Sequence, residues 1–452
     1  MRIFEKLKGL MYKVFGKNEI TQSYGTAAAF GSDMQSAIER WRNMYEGKAP
    51  WINRKKGVVS LRLEQGVVRE FANIAISEMT LSVSDERISE ALKKAVALLP
   101  ENFQRGLATG AMIIKPLGDG SVQYLSQDEF IPVAYNAEQM LTSVIFPEIK
   151  KVGERDYLIR LEFHVLDEKG LTITNRAFRS SSPDSLGKEI ELSSVPEWAN
   201  IAEGVTYQGV TRPVYGYYVN PIDNTFDERK GGVSVFENAT ELIKRADIQF
   251  GRLDWEFESG ERAIHVDETA LRPVRDRNTI RFEMPKLNER LYRGVNISGG
   301  NGEDFFKEYS PTLRQGDFIA GLEEYKRAIE FVCGLAYGDL SNPQAVAKTA
   351  TEVLVSKERK YNAVDAIQKK LRVCLEDLTF ALAFWLGRTT VNYEFVCDFE
   401  DSILTDDETR RNQDRQDVAI GAMPLWEYRM KWYHEDEETA RKMVSDVADV
   451  IE

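Results

Sequence analysis

The sequence predicts an elongated α+β protein, and three stretches carry that prediction: a helical stripe over 318–336, a longer one over 346–378, and strict alternation over 157–165. In the first, Phe318, Leu322, Tyr325, Ile329, Val332 and Ala336 recur at steps of four and three, which sets them along one seam of a helix. In the second, Val346, Ala350, Val353, Tyr361, Val364, Ile367, Leu371, Leu375 and Leu378 keep similar spacing, with one stagger after Val353. About 40 helical residues span roughly 60 Å, more than a compact domain usually holds, so a structural strut is expected. In the third, Tyr157, Ile159, Leu161, Phe163 and Val165 interleave with Arg160, Glu162 and His164. That is the pattern of an antiparallel sheet with one wet face, and parity puts His164 on it.

The remaining elements follow in chain order. Residues 1–16 place Ile3, Leu7 and Val14 opposite Arg2, Lys6, Lys8 and Lys13, a short stripe expected to be a terminal helix docked on protein rather than on a membrane. Residues 31–99 read as mostly helical, with a patterned run from Ile88 to Leu99 closed by Pro100. At Ala111 the period changes: 111–116, the turn Gly118-Asp119-Gly120, Val122 and Tyr124 predict a hairpin. Glu168-Lys169-Gly170 turns the alternating strand into another, and 180–187 is a serine-rich loop. Ala239, Ile243, Ala246, Phe250, Leu253 and Phe257 again step by four and three, a helix ending near Gly260. Residues 261–311 form a small β-biased insert. A breaker, Gly338-Asp339-Leu340-Ser341-Asn342-Pro343, separates the two long stripes, because Gly338 frees the backbone and Pro343 stops a helix. From Thr405 the chain is acidic, 13 acids against 7 Lys or Arg, and helical, with Pro424 as a first helical residue.

With 452 residues, two to four lobes are expected, and 43% hydrophobic residues with seven Trp suffice for real cores. There are 59 Lys and Arg against 72 Asp and Glu, a formal charge of -13, which argues against a broad phosphate-gripping surface. Cys333, Cys374 and Cys397 are spaced for buried reduced thiols rather than a disulfide framework. No apolar run reaches the roughly 18 residues that span a bilayer, so no membrane role is expected.

Chemistry is sparse. No Gly-Lys-Ser/Thr phosphate loop and no Gly-x-Ser-x-Gly elbow is present, and Gly299 to Gly302 precedes Glu303-Asp304, which would repel phosphate. His164, His265 and His434 have no second metal-type residue at ligand spacing. Carboxylates alternate with cations, as where Glu323 and Arg327 form an i, i+4 pair. No catalytic residue, cofactor or metal is expected, and an enzyme such as a nuclease or ATPase is disfavoured. A non-channel capsid scaffold or adaptor, using the long helices as an assembly surface, stays open as the alternative.

Two segments carry a resemblance: Gly106-Leu107-Ala108-Thr109-Gly110-Ala111-Met112-Ile113-Ile114-Lys115-Pro116, followed by Gly118-Asp119-Gly120 and Phe130-Ile131-Pro132, and then 341–352 with its Ala350-Thr351-Glu352 run. With the order of parts along nearly the whole chain, they make it similar to bacteriophage portal proteins, the head-to-tail connectors of tailed phages, of the type found in phages of Gram-positive bacteria. The resemblance implies an elongated subunit with a mixed wing (1–235), a stem helix (236–260), a small α/β clip (261–311), a second stem helix (312–337), a tunnel loop (338–348), a very long wing helix and following strand (349–404) and a helical crown (405–452). The stem would pack through Ile243, Phe250, Phe257, Phe318, Leu322, Tyr325, Ile329 and Val332. In the tunnel loop, Gly338 and Pro343 would set the shape, while Ser341, Asn342, Gln344 and Lys348 would lie near DNA. Roughly a dozen copies would form a homo-oligomeric ring at one capsid vertex. The implied partners are double-stranded DNA passing through the channel, the terminase large subunit, a head-tail adaptor, and the major capsid and scaffolding proteins. The implied location is the virion, after assembly in the host cytoplasm.

Overall fold

The computed structural model describes residues 24–26, 29–77, 79–118, 120–183, 185–226, 231–267, 272–276, 279–283, 292–295, 306–343, 350–399, 407–433 and 435–448. Helices and sheets are segregated along the chain, an α+β fold. The helix expected over 1–16, and Asp119, Val346 and His434, lie outside the described residues.

The described residues open with α1 (Ser32–Tyr45) and α2 (Leu63–Ser77), then β1 (Met79–Val83), α3 (Glu86–Val96) and α4 (Leu99–Thr109). α1 buries Met34, Ala37, Ile38, Trp41 and Met44, one face at helical spacing. The Asp85 carboxylate caps α3 by accepting the Ile88 N–H at 3.1 Å. It also takes the guanidinium of Arg388, about 300 positions on, and so ties α3 to the far end of the chain. Pro100 does not close the preceding helix as expected. It sits in the first turn of α4, where the N–H it lacks would have had no helical partner.

The hairpin of β2 (Ala111–Pro116) and β3 (Val122–Ser126) forms in the register the turn dictates. A larger antiparallel sheet runs in the order β4 (Ile131–Tyr135), β5 (Leu141–Gly153), β6 (Asp156–Asp167), β7 (Gly170–Ser180), β8 (Lys188–Ile190), with β9 (Gly204–Gln208) also on β7. β10 (Gly216–Val219) then joins the other edge of β2.

The polar face of β6 is not wet, which corrects the placement of His164. Glu162 and His164 are both buried, and the imidazole lies edge-on to Phe146 at 5.1 Å and near Tyr215. Lys115 of β2 reaches Glu162 at 2.6 Å, His164 Nε2 meets the same carboxylate at 2.6 Å, and Arg160 bridges Glu162 to Glu148 of β5. Burial alone would raise Glu162, but Lys115, His164 and Arg160 outweigh it and hold the carboxyl far below its usual range. Burial pushes His164 down, so the neutral ring donates its Nε2–H to Glu162. Alternation separates two faces; the residues opposite decide whether the polar one meets water, and here a second sheet brings a lysine.

Two helices follow, α5 (Thr240–Ser259) and, after an insert, α6 (Gln315–Cys333). They pack side by side, and the end of α5 meets the start of α6 where the Glu256 carboxylate takes the backbone N–H and guanidinium of Arg314. The insert holds β11 (Ala263–Asp267), β12 (Arg272–Asp276), β13 (Thr279–Glu283), β14 (Tyr292–Val295) and β15 (Phe306–Tyr309). β11 lies between β14, parallel, and β15, antiparallel, while β12 and β13 pair with each other. Every element described in the insert is a strand, so the expected α/β character is not found among the described residues.

α7 (Ala350–Trp385) is one helix of 36 residues, about 54 Å long. Val364, Ile367, Leu371, Leu375 and Leu378 of the expected stripe, joined by Cys374, are buried in the main core with α1, α2 and α4. β10 approaches α7 so closely that a Cβ on Gly216 would lie 2.5 Å from the Cys374 carbonyl oxygen, so only glycine fits there. Beyond α7, β16 (Phe395–Phe399) pairs antiparallel with β1, Met79 opposite Phe399 and Val83 opposite Phe395. Three helices close the chain, α8 (Asp407–Ala419), α9 (Leu425–Tyr433) and α10 (Glu437–Ala448). Pro424 precedes α9 rather than opening it, and its carbonyl accepts the Glu427 N–H at 3.0 Å.

A buried acid pair fastens α5 to the segment between α1 and α2. Asp247 of α5 accepts the Trp51 indole N–H and the Leu61 N–H, each at 2.8 Å, and Glu64 is buried close by. Burial first, and then the like charge of Asp247, pushes the Glu64 carboxyl up to about 7. A raised folded-state value means that this group's contribution is fully present below pH 4.5 and is lost as the pH rises through 7. Glu64→Gln removes that dependence. Its melting temperature, taken relative to wild type, is expected to rise from pH 4 to pH 8, by the equivalent of about 3 kcal/mol. Parallel melting curves for the two proteins across that range would contradict it.

Candidate functional site: the breaker between the long helices

The segment between α6 and α7 is where the sequence concentrates its unusual residues, and its geometry starts at the end of α6. The helix stops at Cys333, ahead of the expected Gly338 and short of Ala336. Gly334 takes a left-handed conformation at φ 83°; the Leu335 N–H donates to the Glu330 carbonyl at 2.8 Å and the Gly334 N–H to Phe331 at 3.3 Å, a Schellman stop. Leu335 is then fully buried, and Leu340 packs against the main core, close over Gly66 of α2.

One side chain organises the rest. Glu330 is completely buried, and its Oε1 accepts the N–H groups of Gly338 at 3.1 Å, Leu340 at 2.6 Å and Ser341 at 2.7 Å, while Oε2 accepts the Ser341 hydroxyl at 2.9 Å. Glu323, two turns earlier, accepts the Asn342 N–H at 2.7 Å and pairs with Lys326 at 2.8 Å. Burial pulls Glu323 up, but Lys326 and the Asn342 amide outweigh it and hold the carboxyl below its usual range. Its expected partner Arg327 instead bonds Glu324 at 3.2 Å, because the i, i+3 acid is nearer once Lys326 and Asn342 engage Glu323.

α7 grips the same segment from the other side. The Tyr337 N–H donates to the Ser356 hydroxyl at 2.8 Å, and Lys360, mostly buried, meets Asp339 at 2.9 Å. Asp339 also accepts the Ala336 N–H at 2.9 Å. Arg359 donates to the Leu335 carbonyl at 3.0 Å and lies between the rings of Phe331 and Tyr337, at 4.8 Å and 5.1 Å.

The structure sorts the residues singled out from the sequence. Gly338, at φ 99°, does shape the turn. Ser341 is buried, with its amide and hydroxyl both held by Glu330, and the Asn342 amide is held by Glu323, so those groups face the protein. The Asn342 and Pro343 side chains are exposed. Gln344 and Lys348 lie outside the described residues. Of the stem residues, Ile243, Leu322 and Ile329 are buried, and Phe250 and Tyr325 pack half-buried against the core. Phe318 is half-buried beneath the Arg314 guanidinium at 5.7 Å. Phe257 and Val332 are instead 41% and 38% exposed. The buried side of α6 passes through Ile329 and Glu330, which turns Val332 outward, and the end of α5 turns Glu256 rather than Phe257 toward α6.

Sequence reasoning missed Glu330. Its signal was a single acid inside the apolar run Ala328-Ile329-Glu330-Phe331-Val332-Cys333, just ahead of a turn whose amides cannot find helical partners. Elsewhere, a cleft of about 570 Å³ lies between α7 and the region of β16. Its arginines are already paired, Arg212 with Glu376 and Asp377 and Arg372 with Asp398, which leaves a balanced rather than anion-seeking wall.

Fold and site together describe a chain in which α5 and α6 flank an insert of described strands, and the other end of α6 is tied to α7 through a carboxylate-held turn. No family model and no curated protein matches it. Among solved structures, the neck of a native GTA particle, computed with C12 symmetry, contains a similar chain at 12% identity and a TM-score of 0.44, over 92% of this chain and 97% of that one. A likeness that distant leaves the reading of this chain to its own geometry.

Lys360→Met leaves the Asp339 carboxylate without its cation, and a loss of about 2–4 kcal/mol is expected. Adding Asp339→Asn should recover most of it, since the uncompensated charge goes too. Thermal melting of wild type, both single variants and the pair measures the coupling; additive effects would contradict it.

Proposed function

We propose that the chain is a portal subunit: copies form a ring at one capsid vertex, a conduit for double-stranded DNA during genome packaging and ejection, and a platform for the terminase motor and the tail adaptors. In this reading the protein has no enzymatic activity of its own. The observation that carries it is the arrangement of α5 and α6, two packed helices of 20 and 19 residues that bracket an insert of described strands, with a carboxylate-held turn after α6 tied to a 36-residue helix. The sequence resemblance assigns those parts to stem, clip, tunnel loop and wing.

Two further features support the assignment. Large apolar side chains stay exposed along the proposed stem: Trp255 and Phe257 on α5, and Ile319, Phe331 and Val332 on α6. In a ring, such faces are covered by the neighbouring copies. The acidic balance of -13 suits a wall past which DNA slides, because each phosphate neutralised by a cation adds salt-dependent affinity that would hold the duplex in place.

Electron microscopy of the purified protein and of virus heads is expected to show closed rings with a central hole. Trp255→Ser combined with Phe331→Ser should shift the population from rings toward single subunits without unfolding them. Class averages of compact single molecules in both samples would end the portal reading in favour of a scaffold or adaptor. Robust DNA-dependent ATP turnover by the pure chain would point to an enzyme instead.

A further inference from the structure

The channel reading leaves open what sets the shape of the proposed tunnel loop. We infer that Glu330 is its positioning residue: a buried carboxylate that fixes 338–341 on the end of α6 and so determines where Asn342 and Pro343 emerge. This rests on the portal reading for its functional half and on geometry alone for its structural half.

The geometry is specific. A turn between two helices leaves backbone amides without helical partners, and such amides are ordinarily satisfied by water or by a nearby cap. Here three of them, Gly338, Leu340 and Ser341, converge on one oxygen of Glu330, and the Ser341 hydroxyl takes the other. The carboxylate is completely buried and, among the described residues, no cation lies at salt-bridge distance, so these four donors are what satisfies it there. Carboxylate and turn are therefore mutually dependent: the buried side chain is tolerable only with the amides in place, and the amides converge only because an acceptor oxygen stands at that point. Asp339, between the held residues, points the other way to Lys360 on α7. The turn is thus held on two sides, and relative displacement of α6 and α7 is passed to it rather than absorbed by it.

Glutamine at 330 has the same shape. Its carbonyl oxygen can accept the three amides and its amide nitrogen can donate to the Ser341 oxygen. Aspartate keeps the charge but withdraws the carboxylate by one methylene, out of reach of some donors. Position rather than charge is therefore what a Glu330→Asp and Glu330→Gln pair separates.

The test uses full-length protein, followed by hydrogen–deuterium exchange, together with heads assembled with each variant. Glu330→Asp is expected to speed exchange in peptides covering 334–343 roughly tenfold to a hundredfold, with those from α5 unchanged, and Glu330→Gln should stay near wild type. In heads, Glu330→Asp should lower the DNA packaged per particle and Glu330→Gln should restore it. Unchanged exchange in Glu330→Asp would overturn the positioning role. Accelerated exchange with wild-type packaging would reduce Glu330 to a structural residue and overturn its functional half. Absence of rings from wild-type protein would instead count against the portal reading, while the exchange result still decides whether Glu330 holds the turn.

Discussion

A helix of 36 residues has to be covered along about 54 Å, and no single core of ordinary size does that. The rest of the chain is arranged to meet this requirement. Its middle and C-terminal half is buried by α2, α3, β2 and β10. Near its C-terminal end β16 folds back to pair with β1, and Arg388 closes the return by binding Asp85. The close contact at Gly216 shows how tightly the small sheet is pressed onto the helix, since there is no room for a Cβ. Because segments so far apart in sequence all pack on one rod, the rod fixes their mutual positions, and the turn after α6 is tied to it through Lys360 and Asp339.

Buried charge does the local fastening. Glu162, Asp247 and Glu330 are each buried, and each draws donors from elements distant in sequence or from a turn that would otherwise leave amides unpaired. Apolar contacts alone tolerate sliding, whereas a buried carboxylate is tolerated only with its donors at hydrogen-bond distance. The three acids thus specify geometry more than they add net stability. Glu64 is the counterexample, since burial pushes it to about 7 and it shares its site with Asp247 rather than with a cation.

The helical parts of this fold were legible because periodicity is a local property. The stripes of α5, α6 and α7 fell where helices form, as did the hairpin of β2 and β3, whose turn chemistry is contained in a few residues. What failed was what depends on the other side of a contact. His164 alternates correctly but faces Lys115 and Tyr215 instead of water. The partner of β16 lies more than 300 residues back, beyond any local pattern. The breaker was recognised by its Gly and Pro, yet Gly334 had already ended the helix. The residue that organises it, Glu330, was hidden as one acid among many. Val332 and Phe257 fit their stripes by count, but the real seam is rotated toward Glu330 and Glu256.

These errors share a cause that also bears on function. A protein that grips nucleic acid announces itself through clustered cations, because phosphate recognition requires them. A protein that positions a loop beside a moving polymer has no such requirement. The loop must resist displacement without binding its cargo tightly, and resistance has to come from inside the subunit. In the portal reading proposed above, a clamped turn on an acidic chain would meet both conditions: Glu330 and Lys360 hold the segment from opposite sides, and Lys360 is already paired with Asp339. The side chains that would carry such a task are therefore buried acids and their amide partners, which composition alone does not distinguish from ordinary solvated charge.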